Sequence, residues 1–455
     1  MSELVHSGQC DRRSFIKLGA AAGLGSAMGV LGSAGCSQLQ RGAFVPGQPL
    51  RAKPLDVVRI GYVGVGGMGT GHVNNLLKIE GAEIRVICDI DPKQAAAAQK
   101  LIVDAGKPKP EIICAGPQGY LKVCDREDID LVYNATPWQF HTPICLAAMR
   151  AGKHAATEVP AALTVEECWQ LVDTCEKTGR HCIMMENCCY DRSEMMVLNM
   201  VRKGMFGELL HGECGYLHDL RSLKFSDHGE GLWRLDHSAR RDANLYPTHG
   251  LGPICEYMNI NRGDRLDYLV SMSTPSRGLN NHAAKQFGPD SPQAKRKYAL
   301  GDVNLSLIKT HNGLTIYLVH DCDTPRPYSR INMIQGTKGI FEGFPDRIHI
   351  EDRSPGHDWE QLDKYHEEFD HPLWKKMQER AKGAGHGGMD FIEDYRLIEC
   401  LRAGEPLDFD VYDAATWSVI TALTEKSVAN RSQPVDVPDF TRGKWKTMRP
   451  LGPFA

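Results

Sequence analysis

Apolar residues in the first part of the chain gather into short continuous runs separated by helical stretches. Val57–Val63, Ile84–Cys88, Ile129–Ala135, His154–Thr157 and Cys182–Met185 read as buried strands. His72–Ile79, the segment leading to Arg150, and Val165–Thr178 read as the helices between them. Strand alternating with helix in this way predicts an α/β doubly wound parallel sheet.

From about residue 186 the pattern changes to longer, mixed segments. Met195–Lys203 reads as a helix and Leu209–Leu217 as the first strand of another sheet. Val303–Thr310 and Leu314–His320 are strand-like runs joined at His311-Asn312-Gly313, a hairpin signal. Ile331–Gly336 and Ile348–Ile350 add to the same sheet, which is expected to be open and mostly antiparallel in a C-terminal α+β domain. Asn280–Lys297, polar and Pro-containing, reads as a surface excursion. Gly387–Leu401 reads as a helix, and Ala414–Asn430 as another that returns to the first domain. The expected boundaries are a leader at 1–36, a linker at 37–54, a Rossmann domain at 55–185, a substrate domain at 186–410, and a C-terminal helix and tail at 411–455.

Composition narrows the classes. The 455 residues carry 53 basic and 57 acidic side chains, a formal charge of −4, so the basic excess of a nucleic-acid binder is missing. No apolar run is long enough for an uninterrupted membrane span. Fifteen cysteines offer the adjacent pair Cys188-Cys189 and scattered singles, without the paired C-x-x-C spacing of a zinc site. They read as reduced, buried thiols, and no metal is expected.

Asp11-Arg12-Arg13-Ser14-Phe15-Ile16-Lys17 precedes a Gly/Ala-rich apolar stretch to Leu31 and looks like a twin-arginine export signal. That route carries proteins already folded, which fits reduced cysteines and a cofactor loaded before export to the periplasm or cell surface. Cys36 follows Ser33-Ala34-Gly35, a lipoprotein-like box without its usual Leu, and leaves a lipid anchor there open. The oligomeric state is likewise open.

The chemistry begins at Gly64-Val65-Gly66-Gly67-Met68-Gly69, directly after the first strand. Gly64, Gly66 and Gly69 occupy the three glycine positions of a dinucleotide fingerprint: tight turn, close approach of the pyrophosphate, and packing of helix on strand. The following helix places its N-terminus under the phosphates. Asp89 ends the second strand 20 residues after Gly69, where a carboxylate accepts ribose hydroxyls and repels a 2′-phosphate. NAD is favoured over NADP. Trp138, His141, Glu158, Val159 and Asn187 stand at or just beyond the next strand ends, near the expected nicotinamide side. Polar and aromatic candidates for contacts with a substrate cluster in the second half: Tyr190, Tyr216, Arg234, Tyr246, His249 and Tyr328. If Pro247 opens a helix, Tyr246 and His249 share a face near its first turn.

The order of glycine fingerprint, A-T-P-x-x-x-H at Ala135–His141 and G-K-H-x-x-x-E-x-P at Gly152–Pro160 resembles the glucose–fructose oxidoreductase and inositol dehydrogenase superfamily. Most of those dehydrogenases carry E-K-P, whose Lys helps move the substrate's hydroxyl proton; this chain reads Glu158-Val159-Pro160. Trp138 within A-T-P-W, E-V-P, M-E-N-x-x-Y at Met185–Tyr190, and Tyr246-Pro247-Thr248-His249-Gly250 together resemble glycoside hydrolase family 109, the NAD-dependent α-N-acetylgalactosaminidases.

The resemblance implies retaining hydrolysis by oxidation at carbon 3, elimination across carbons 2 and 1, addition of water, and return of the stored hydride. It assigns substrate contacts to Tyr216, Arg234, Tyr246, His249 and Tyr328, with Tyr190 a weaker candidate. His249 suits the carbon 3 hydroxyl proton. The carbon 2 base is open among Tyr246, Tyr216 and Tyr190. Two other readings use the same residues: a sugar or polyol dehydrogenase of the superfamily, against which Val159 stands, and a non-enzymatic NAD-holding sugar binder, against which the Tyr246–His249–Arg234 constellation stands.

Overall fold

The computed structural model describes residues 48–455. The twin-arginine segment, Cys36 and most of the linker lie outside the described residues. Six parallel strands, β1 (Val58–Val63), β2 (Ala82–Cys88), β3 (Glu111–Ile113), β4 (Leu131–Asn134), β5 (His154–Thr157) and β6 (Cys182–Met184), form one sheet in the order β3-β2-β1-β4-β5-β6. β1, β4, β5 and β6 are buried along almost their whole length, because helices cover both faces of a parallel sheet. Val165–Thr178 shows how local sequence sets one of these helices. Thr164 and Glu167 close a reciprocal capping box at its start, and Gly179 ends it in the left-handed region at φ 62°.

The remaining strands build a second, nine-stranded sheet: β7 (Leu209–Leu217), β8 (Leu266–Ser273), β9 (Asn304–Thr310), β10 (Thr315–Asp321), β11 (Met333–Gly336), β12 (Gly339–Glu342), β13 (Arg347–Ile350), β14 (Glu360–Gln361) and β15 (Val435–Asp436). All neighbours pair antiparallel except β7 and β10 at the centre. The α/β class with a Rossmann sheet and a mostly antiparallel second sheet is therefore as the sequence predicts. No helix of the described residues is long and apolar enough to cross a membrane.

Several expectations need correction. The first helix spans Gly67–Leu76, so it starts inside the glycine turn rather than at His72. Asn280–Lys297 lies mostly at the surface, as expected, but it has regular structure that its polar pattern does not announce: Gly278–Phe287 and Pro292–Lys295 are helical, the first anchored by buried Leu279 and Ala283. The segment 414–430 is two helices, Val411–Ser418 and Ile420–Ala429. The first packs on the Rossmann helix Val165–Thr178, but the second lies against β8, and β15 extends that sheet. The tail thus does not return wholly to the first domain. Conversely, helix Met389–Ala403, expected within the substrate domain, packs against Gly67–Leu76. Its buried Asp394 reaches His72 and Asn75 there, a polar attraction that hydrophobic pattern does not announce.

Every described cysteine is free of a disulfide, and all but Cys114 are buried, as small apolar residues would be.

Candidate active site

A cavity of about 810 Å³ runs from the glycine turn to the end of β7, near the top of the usual range of roughly 300–1,000 Å³ for small-ligand sites. Its cofactor end is built by four glycines, for three different reasons. Gly64 sits at φ +87°, where side chains are disfavoured. A Cβ on Gly69 would lie 2.1 Å from the Gly64 carbonyl oxygen, so the helix can rest on the strand only without one. A Cβ on Gly66 or Gly67 would meet nothing within 4 Å, because the space above them is the cavity itself. Met68 lines the wall beside them. Asp89, at the end of β2, accepts the Val65 and Asp91 N–H groups at 2.8 Å each and still lines the cavity. A dinucleotide fits this arrangement: open space at the second glycine, free helix N–H groups below it, and a carboxylate at the ribose position.

This gives a direct test. Gly66→Ala should barely change the stability of the nucleotide-free protein yet weaken NAD binding about tenfold or more, roughly 1.4 kcal/mol. Calorimetric titration of both proteins checks it; unchanged affinity would mean that the pyrophosphate does not approach Gly66.

At the next strand ends the expected residues take different parts. Trp138 is buried, stacks on Tyr246 at 5.6 Å and meets Trp233 edge-on at 4.8 Å. Both His141 nitrogens lie 2.7 Å from backbone carbonyls, those of Pro160 and Thr136, so this ring ties the β4 and β5 loops together and has no nitrogen left for a ligand. Glu158 points into the cavity and takes a 2.7 Å hydrogen bond from His72. Burial raises its carboxyl, but the His72 hydrogen bond and charge outweigh this and leave it below its ordinary value. Val159 is buried in the cavity wall and has no proton to move. Asn187 lines the cavity and donates to Asp390 at 2.6 Å.

The other end of the cavity converges from β7 and the helix Thr248–Tyr257. Pro247 precedes that helix directly, and the rings of Tyr246 and His249 meet at 4.8 Å, nearly perpendicular. His249 Nδ1 lies 2.6 Å from Glu186 Oε1, a carboxylate with no solvent exposure. The opposite edge of the ring is then presented to the cavity. Tyr216 packs on Tyr246 at 4.6 Å, and its hydroxyl lies 3.0 Å from His218 Nδ1. Burial pushes both phenols well above their ordinary value, with Arg234 opposing, so both are protonated at neutral pH. Burial and the Arg234 charge lower the His218 imidazole, which suits its neutral form as acceptor of the Tyr216 proton. Arg234 lies over the rings of Trp138, Trp233 and Tyr246 at 4.9–5.1 Å and pairs with Glu230.

Two candidates fall outside this convergence. Tyr190 is buried between Phe409 and Phe454 and donates to Asp408 at 2.9 Å; it is a core residue and does not reach the cavity. Tyr328 stands at the edge of the convergence: its partly exposed ring packs edge-on against Tyr216 and His218, and its hydroxyl accepts from Arg330 at 3.1 Å. The residues that sequence reasoning missed are Glu186, His218 and His72. Glu186 lies inside the M-E-N run, and His218 follows Tyr216 by two, the spacing that keeps side chains on one face of a strand. His72 had no such signal.

Glu186, Cys188 and His249 place one ligand atom each within 4.8 Å of one another. The short His249–Glu186 hydrogen bond already uses the facing atoms, and burial pushes the Cys188 thiol far up, so the group acts as a hydrogen-bonded pair beside a neutral thiol.

Comparison with known proteins agrees with this construction. Residues 190–447 match the family "Glycosyl hydrolase 109, C-terminal domain", and residues 58–186 match "Oxidoreductase family, NAD-binding Rossmann fold". A Glycosyl hydrolase family 109 protein of Shewanella amazonensis is 50% identical over 448 residues, covering 97% of this chain and 98% of the relative. One from Shewanella pealeana is 49% identical over 455 residues, with the same coverage. Among solved structures, levoglucosan dehydrogenase in complex with NADH and L-sorbose superposes with a TM-score of 0.65 at 20% identity, over 84% of this chain and 100% of that one. Myo-inositol dehydrogenase from Lactobacillus casei in complex with NAD(H) and myo-inositol gives 0.58 at 16% identity, over 85% and 99%.

Proposed function

Because the chain belongs to glycosyl hydrolase family 109 and carries an NAD-binding Rossmann domain, we propose that it hydrolyses terminal α-N-acetylgalactosaminides with retention, through transient oxidation of the sugar. One observation carries this reading. The His249–Glu186 pair and the Tyr216–His218 pair face a single cavity that opens onto the dinucleotide turn. A glycosidase of the two-carboxylate kind needs two acids flanking the bond. Here the lining carboxylates Glu158 and Glu230 are engaged by His72 and Arg234, and Asp227 stands fully exposed beside His228.

When bound, NAD⁺ supplies a reversible hydride acceptor for carbon 3 of the sugar. His249, with Nδ1–H held by Glu186, takes the carbon 3 hydroxyl proton at its other nitrogen. Tyr216 acts on carbon 2 as its tyrosinate, the form that the Arg234 charge favours against burial, and removes the proton that the neighbouring ketone has made acidic. The electron pair left on carbon 2 expels the group at carbon 1. Water then adds to carbon 1, and the proton steps run in reverse as the ketone is reduced. Trp138, Trp233 and Arg234 offer an apolar wall and an N–H fork, which suit the methyl and carbonyl oxygen of an acetamido group. Held by the glycine turn and Asp89, NAD would be recycled within each turnover, with no free nucleotide consumed. Such self-sufficiency matches export through the twin-arginine route to the periplasm or cell surface.

The test is a panel of chromogenic α- and β-glycosides, N-acetylgalactosaminides included, with no nucleotide added. Cleavage of the α-N-acetylgalactosaminide is expected, and in heavy water the product should carry deuterium at carbon 2. Cleavage without that label would overturn the redox route. Accumulating NADH and a keto-sugar, without cleavage, would identify a dehydrogenase.

A further inference from the structure

We infer that His386, carried by the Gly385–Gly388 turn, is a cofactor-holding residue that donates from the C-terminal half of the chain to the nicotinamide-side phosphate and ribose of NAD. This rests on the NAD reading of the glycine turn. His386 lines the same cavity as Gly67, Met68, Glu158 and Asn187, although it lies about 200 residues beyond the Rossmann domain. Its Nδ1 is 2.7 Å from Asp390 Oδ2, and the other oxygen of that carboxylate accepts the Asn187 side chain at 2.6 Å. One acid therefore fixes two cavity-facing groups, one from each half of the chain. Nε2 of His386 has no protein partner among the described residues, and half of the side chain is open.

The backbone is shaped to present this ring. His386 lies in the left-handed region at φ 47°, ψ 45°, disfavoured for a residue with a Cβ. Gly387 and Gly388 follow at φ 73° and 103°. A Cβ on Gly385 would lie 2.6 Å from Asp390 Oδ2, and one on Gly388 2.9 Å from the Ala381 carbonyl oxygen. The flanking glycines let the turn sit close to the helix start, and the one side chain it carries faces the cavity.

Charge gives this side chain its use. A pyrophosphate brings two negative charges, and the glycine turn answers with backbone N–H groups alone. Arg234 is the only Lys or Arg lining the cavity among the described residues; it is at the sugar end and paired with Glu230. Asp89, Asp91 and Glu158 also line the cavity. The Asp390 hydrogen bond raises the His386 imidazole above its ordinary value, with burial opposing. A charge-assisted N–H on Nε2 is therefore available where the dinucleotide would otherwise meet mostly acids.

The test is His386→Asn. Asn tolerates the left-handed region, so the turn is retained while the imidazole is removed. Both proteins are loaded with NAD, and loss of nucleotide on dilution is followed by fluorescence, with circular dichroism confirming the fold. The variant should lose NAD at least about tenfold faster. Added salt should speed release from the wild type more than from the variant. Retention within twofold of the wild type would overturn this inference alone. A wild-type protein that takes up no NAD would overturn the cofactor reading and this inference with it.

Discussion

His249→Ala is expected to lower glycoside turnover by roughly 10²–10⁴-fold, the usual span for loss of a positioned acid–base group, while leaving NAD bound. Nucleotide contacts begin at Gly64 and Asp89, whereas His249 sits on the helix Thr248–Tyr257 with its ring against Tyr216 and Tyr246. Its loss should therefore appear in kcat, with bound NAD per protein unchanged. Glu186 touches the chemistry only through His249 Nδ1 at 2.6 Å, so it is a positioning residue. Glu186→Gln should reduce kcat less than His249→Ala and shift the pH profile of kcat. The double variant should be no slower than His249→Ala alone, because the two act as one unit. Additive losses would show that Glu186 has a separate role. Turnover unaffected by His249→Ala would remove this residue from the mechanism.

The first domain was readable because its residues act locally. β1 and β4 are nearly continuous apolar runs, and the fingerprint glycines, Asp89 and the capping box at Thr164–Glu167 work within a few residues of one another or at standard offsets. β3 escaped notice because three residues, Glu111–Ile113, make too short a run to stand out. β8 was hidden for a different reason: although Leu266 and Leu269 are buried, the apolar-in, polar-out pattern breaks along the rest of the strand. Ser271 faces inward into hydrogen bonds with Asn304 and Ser306, while Tyr268 and Met272 face out. A rule that puts apolar residues inside cannot find such a strand.

The site divides in the same way. Residues at strand ends were found because strand ends are where α/β cavities open. Their roles depend on partners that sequence spacing does not reveal. Tyr190 stands at a strand end, but Asp408, 218 residues away, takes its hydroxyl into the core. Glu186 and His249 are 63 residues apart. His72 meets Asp394 across 322 residues, and no motif links them.

That last pair supports the second large effect. His72→Leu should destabilise the protein by about 3–5 kcal/mol, the usual consequence of removing one partner from a buried charged group. The His72 nitrogens lie 2.7 Å from Glu158 and 2.8 Å from Asp394, so both must donate and the ring is an imidazolium. Burial lowers its pKa, but the two carboxylates more than offset this and raise it well above the ordinary value. Without the ring, Asp394, wholly buried, keeps only the neutral donors Asn75 and Tyr133, and Glu158 loses the contact that aims it into the cavity. Because the folded value is the raised one, the stabilisation is complete below the unfolded pKa of about 6.5 and is lost as pH rises through the folded value. Over that window wild-type stability should carry an extra decline of up to about 1.4 kcal/mol per pH unit that His72→Leu lacks. Denaturant unfolding of both proteins from pH 5.5 upward measures the two effects together. A cost below about 1 kcal/mol with parallel pH profiles would mean that His72 is neutral in the fold and that Glu158 is positioned by something else.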